Sequence, residues 1–141
     1  MDSKAQASLE YMIMLAISLT VFSAVIYATS ILITTSSMQV GVDSAQRAVD
    51  KVKAAADFIY VHGHPSRTEI NVYMPPNIEN FSILDTNNSI MVRVSVGDTY
   101  TDIYRVTKGR VYGDLSDVNR EGYYVLRVES TSEDAINITV M

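Results

Sequence analysis

A single carboxylate, Glu10, stands at the head of an uncharged run that extends from Tyr11 to Val42. An acid near the centre of a membrane helix costs roughly 2.5–3.5 kcal/mol on insertion scales. At the end of the run the cost falls, because the side chain can reach the interface. Buried among other helices, the same carboxylate demands a partner. Glu10 is therefore the residue whose chemistry most needs an explanation.

Other groups are weaker candidates. His62 and His64 flank Gly63, but no third ligand stands close in sequence, and a zinc site needs three or four. Asp114, Asp117 and Asn119 make a loose acidic stretch without the spacing of a calcium loop. Neither a phosphate loop, a G-x-S-x-G elbow nor an H-E-x-x-H motif is present. No enzyme activity, cofactor or metal is expected. Three N-x-[ST] sequons, at Asn80, Asn87 and Asn137, offer acceptors for N-glycosylation. Tyr100, Tyr104, Tyr112, Tyr123 and Tyr124 are candidates for an adhesive or subunit-contact surface, or for half-buried sheet positions.

Composition narrows the class. The chain has 141 residues, no cysteine and a net charge of -5. The acidity argues against a nucleic-acid partner. The missing cysteines exclude a disulfide framework and a thiolate metal site.

The elements that must position these groups follow from periodicity. Tyr11 to Ile33 is almost wholly apolar. At about 23 residues it is long enough for a helix to cross a bilayer. Ser18, Thr20, Ser23, Thr29 and Ser30 are compatible with that, since a helical hydroxyl can bond the carbonyl one turn earlier. Gly41 is the first candidate for a bend. Beyond it, Val42, Ala45, Val49, Val52, Ala56 and Ile59 recur every three or four residues, with charged residues on other faces. The spacing predicts one long helix from Gln6 to about Tyr60, ended by His62-Gly63-His64-Pro65. From Arg67 the period becomes two. Strands are expected at 70–74, 81–83, 90–96, 100–106, 110–112, 123–128 and 136–140, joined by short turns. Short turns between strands indicate an antiparallel sheet, covered by the amphipathic half of the helix.

Lys4-Ala5-Gln6-Ala7-Ser8-Leu9-Glu10-Tyr11 resembles the class III signal peptide of archaeal type IV pilin-like proteins. Those precursors carry a short basic leader, then Gln-x-Ser-x-Glu-(Tyr/Phe), then an apolar helix. The resemblance implies cleavage by a membrane prepilin peptidase between Ala5 and Gln6, where the family often has Gly before the cut. It makes Lys4, Gln6, Ser8, Glu10 and Tyr11 the processing motif. It also gives Glu10 a partner: the amine created on Gln6, one helical turn away, in the same or a neighbouring subunit. Gln6 and Glu10 are thus the assembly pair.

The expected layout is α+β: a leader at 1–5, an apolar transmembrane or filament-core helix at 6–40, its amphipathic continuation at 41–62, and a β-rich head at 63–141. Lys4, with no further basic residue until Arg47, favours a cytoplasmic N-terminus before assembly. The expected function is a subunit of an archaeal type IV pilus-like surface filament used in adhesion. Its partners are the membrane, the peptidase and assembly machinery, and copies of itself. The alternative is a minor pilin, pseudopilin or anchored extracellular binding module that does not build the filament body.

Overall fold

A computed structural model describes residues 3–141, with side chains from Gln6 onward. Met1 and Asp2 of the leader, and the side chains of Lys4 and Ala5, lie outside the described residues. The element order is α1 (Ser3–His62), β1 (Arg67–Met74), β2 (Ile78–Leu84), a 3-10 turn (Asp85–Asn87), β3 (Ser89–Val96), β4 (Thr99–Val106), β5 (Arg110–Tyr112), β6 (Gly122–Ser130) and β7 (Ala135–Val140). The chain forms two compact units, Met1–Ser37 and Met38–Met141.

In the first unit, α1 is apolar on every side, and its large side chains from Leu9 to Ile33 are exposed. The helix is long and apolar enough to cross a membrane. Ser18, Thr20, Thr29 and Ser30 donate to the carbonyls of Met14, Ala16, Val25 and Ile26 at 2.8–3.0 Å. These are the backward bonds expected of hydroxyls in an apolar helix. No such bond forms at Ser23 among the described residues.

In the second unit, the same helix has one buried face. Ala45, Val49, Val52, Ala56 and Ile59 are at most 1 % exposed. Val42, expected at the head of this stripe, is only half-buried at its margin. Helical structure continues through Gly41, the candidate bend. Gly41 is buried instead because the Asn77 side chain packs on it: a Cβ there would stand 2.6 Å from Asn77 Oδ1. The helix ends where expected. Gly63 adopts φ +72° and its N–H bonds the Ile59 carbonyl at 3.1 Å, a glycine C-terminal cap.

The strands form two sheets. One has the order β1-β6-β7-β5 and the other β2-β3-β4. All neighbours are antiparallel except β5 and β7, which run parallel. Two sheets and a parallel pair differ from the single antiparallel sheet that short turns suggested. The reason lies at 113–121, where Leu115 and Val118 are buried in the core and hold the connection as it returns the chain to the far side of β7.

Period two sorts the faces. Val72, Met74, Leu126, Val128, Ile136 and Ile138 line the core from the four-stranded sheet, and Phe81, Ile90, Val92, Val94 and Ile103 from the three-stranded one. A register shift between Ile78 and Asn80 lets Ile78 and Phe81, three residues apart, both point inward. Met91, expected to face away from the core, is on the outer face but is covered (8 % exposed), with Ser82 and Tyr104 opposite it in the register.

The helix reaches an edge of each sheet. Lys51 Nζ donates to the Asn71 carbonyl of β1 at 2.6 Å, and Arg105 Nε of β4 meets Asp50 at 2.6 Å. Covering strand edges in this way removes unpaired backbone groups from solvent. Asp57 adds a third tie. It pairs with Lys53 and accepts the Lys108 N–H at 2.9 Å. Burial raises its pKa, but the bonds from Lys53 and Lys108 outweigh that and hold it below 3.8. A depressed carboxylate contributes stability above its unfolded value, and that contribution is lost as pH falls through the folded one. Asp57→Asn should therefore flatten the loss of thermal stability of the detergent-solubilised chain from about pH 4 downward. An unchanged acid limb would show that Asp57 contributes nothing there.

Candidate functional site

The two residues expected to form the assembly pair, Gln6 and Glu10, lie on the exposed first unit. Gln6, Ser8, Glu10 and Tyr11 are all helical and exposed, Tyr11 at 69 %. Gln6 and Glu10 are four residues apart on α1, so their side chains share one face a single turn apart. No cation pairs with Glu10 among the described residues. Chemically, the arrangement offers a carboxylate one turn from a site where peptide cleavage would create an ammonium group.

The other candidates are dispersed. His62 Nδ1 contacts the Phe58 carbonyl at 2.8 Å and its ring stacks on Phe58, with centroids 3.9 Å apart. His64 Nδ1 contacts the Ser130 carbonyl at 3.1 Å. One ring nitrogen of each histidine is thus engaged with backbone. Among the described residues, no three His, Asp or Glu side chains converge as a metal set. Asp114 accepts the Ser116 N–H at 2.9 Å, which lowers its pKa and shapes its own loop.

The sequon asparagines differ in access. Asn80 and Asn87 are exposed, on β2 and in the 3-10 turn. Asn137 is half-buried on β7, between Glu129 of β6 and Tyr112 of β5.

The five tyrosines do not make one surface. Tyr124 belongs to the core side and donates to the Arg120 carbonyl at 3.1 Å. Tyr112 is half-buried and donates to Thr131 at 2.6 Å. Tyr123 is 82 % exposed and packs against Tyr73 across β1 and β6, with centroids 5.0 Å apart. Tyr100 and Tyr104 stand on the outer face of the three-stranded sheet. Between them Arg93 grips Asp102 with two bonds, 2.6 and 2.8 Å long. That grip pulls the Asp102 pKa down and pushes that of Arg93 up. Arg93 also lies 5.2 Å from the Tyr100 ring centroid. Sequence reading missed this cluster. Its signal was the i and j spacing of Arg93 and Asp102 about the Gly97-Asp98 turn, which becomes a contact only once the register is known.

Comparison with protein families places these observations. The class III signal peptide family model matches residues 3–29. The N-terminal stretch is thus similar to class III signal peptides, which is consistent with a type IV pilin-like protein, and the helix followed by a β head is an α+β layout that matches a pilin-like fold. A signal of this class implies processing by a prepilin peptidase and handling by pilus assembly machinery. It also fits a membrane-anchored precursor that is later exposed at the surface. Comparison with curated proteins gives no match, and comparison with solved structures gives none.

The Thr20 and Thr29 hydroxyls bond carbonyls that already accept the backbone N–H one turn on, so the helix does not depend on them. Thr20→Val with Thr29→Val should leave the far-ultraviolet circular dichroism of the chain in detergent unchanged and alter stability by no more than about 0.5 kcal/mol. Loss of helical signal would contradict this account.

Proposed function

We propose that this chain is a structural subunit, not an enzyme, of an archaeal type IV pilus-like surface filament that serves adhesion. The observation that carries the reading is the exposed, almost wholly apolar stretch of α1 from Tyr11 to Ile33 with Glu10 at its head. Such a helix is soluble only in lipid or among its own kind. In the precursor, lipid surrounds it and the N-terminus is cytoplasmic. Cleavage between Ala5 and Gln6 creates the amine. In the filament, copies of the helix pack on one another through Ala, Ser and large apolar positions. Glu10 then sits away from water, and the Gln6 amine compensates its charge. That pairing sets the axial offset between an entering and a resident copy.

Glu10→Ala should insert in the membrane and be cleaved normally, yet reduce filaments by at least about tenfold, since burying an unpaired amine costs several kcal/mol. Wild-type filament numbers in that variant would overturn the pairing. Mass spectrometry should find Gln6 as the mature N-terminus, and any other residue there moves the cut. The chain should form the bulk of sheared filaments; a few copies among another subunit would favour a minor pilin.

The same reading makes the outer surface of the head a place for glycans. Asn80 and Asn87 have the exposure that an acceptor needs, whereas the Asn137 backbone is held inside a sheet. Glycopeptide mapping of isolated filaments should find sugar at Asn80 or Asn87 and none at Asn137. Occupancy at Asn137 alone would reverse this ranking.

A further inference from the structure

Beside the edge of β1, α1 and the four-stranded sheet leave a groove of about 370 Å³. Arg47, Ala48 and Lys51 line it from the helix, and Asn71, Tyr73 and Tyr123 from the strands. Lys53, Arg93, Arg105, Arg110 and Arg127 each pair with a carboxylate. Arg47 and Lys51 pair with none among the described residues. Lys51 is bonded to a backbone carbonyl, and the Tyr73 hydroxyl donates to Glu121 at 2.8 Å. The groove is therefore a basic recess with an aromatic rim on a chain whose net charge is -5.

A complementary feature lies at the other end of the same strand. The turn Thr131–Asp134, between β6 and β7, is exposed throughout. Glu133 and Asp134 make no ion pair among the described residues. The turn is already braced: the Thr131 and Ser132 N–H groups bond the Ala135 carbonyl at 2.9 and 3.4 Å, and Ser130 Oγ bonds the Ser132 carbonyl at 2.9 Å. A pre-formed turn loses little entropy on docking.

We infer that the Thr131–Asp134 turn of one copy docks in the Arg47–Lys51 groove of the next. This inference rests on the filament reading above. Two carboxylates meet two cations, and the Tyr73–Tyr123 pair supplies the rigid aromatic contact common at interfaces. Groove and turn lie at opposite ends of β6, roughly 24 Å apart at 3.4 Å per residue. One copy cannot satisfy its own groove with its own turn. The contact joins unlike surfaces, so each copy keeps a free turn and a free groove for the next, which is the kind of contact that can propagate along a filament. It also opposes the general repulsion between acidic heads.

Two arms test it in cells producing the full chain. Glu133→Lys with Asp134→Lys, and separately Arg47→Glu with Lys51→Glu, should each cut filament numbers roughly tenfold or more, since like charges at an interface repel strongly. Combining all four should restore them. In the second arm, Lys51→Cys with Glu133→Cys in this otherwise cysteine-free chain should give a ladder of disulfide-linked multimers in oxidised filaments. The ladder keeps the test decisive if a charge variant fails to fold. Abundant filaments without a ladder would overturn the contact while leaving the filament reading intact. A wild-type chain absent from filaments would overturn both. If the groove variant alone loses filaments, with the turn variant normal, the groove serves another anionic partner, such as lipid headgroups, and the inference fails.

Discussion

One constraint governs the structure: a single helix must bury apolar surface in two unlike environments. From Ala45 to Ile59 it solves the problem within the chain. Small residues at 45, 48, 55 and 56 let the backbone approach the sheets, while Val49, Val52 and Ile59 fill the space between. Each fully buried side chain of the larger kind contributes about 1.5–3 kcal/mol. Up to Ile33 the described residues provide no such cover, and the large side chains remain exposed. Water cannot be the resting solvent of that surface. A membrane is one setting that accepts it, and the proposed filament is a second.

The polar contacts of the head follow from the same constraint. A helix that covers two sheets must meet strand edges, and edges carry unpaired carbonyls and amides. Lys51 takes the Asn71 carbonyl, Asp57 takes the Lys108 amide, and Asp50 engages Arg105. Charged residues beside the apolar stripe are therefore structural ties as much as a solvated face. Arg47 has no such tie among the described residues, and it lines the groove beside β1.

Much of this was legible in the sequence. The switch from period three or four to period two fell near Arg67, where the first strand begins, because side-chain direction alone creates those periods. Gly63 could be read as a stop because only glycine adopts its φ without cost. The N-terminal motif was legible because its residues are adjacent. Strand order was not. Alternation shows which face a residue takes but not which strand lies beside it, so the β1-β6-β7-β5 order and the parallel β5–β7 pair stayed hidden. The shift at Ile78 defeated alternation itself, since one extra residue reverses the parity. The covered Gly41 was equally unreadable, as it depends on Asn77, distant in sequence, and the Arg93–Asp102 grip needed the β3–β4 register to be known.

The position of β7 carries a further consequence. It is the last of the described strands, yet it sits inside its sheet, between β6 and β5. The stripe on α1 is made well before part of its cover, Ile136 and Ile138. Until β7 is made the helix therefore waits with its second half partly uncovered. Closure needs contacts between residues far apart in the chain, which slows folding. A long apolar helix that fits a membrane anchor suits that delay, since lipid would hold the unfinished head in place while β7 is made. The cover of the helix is thus completed only when a strand distant in the chain enters between β6 and β5.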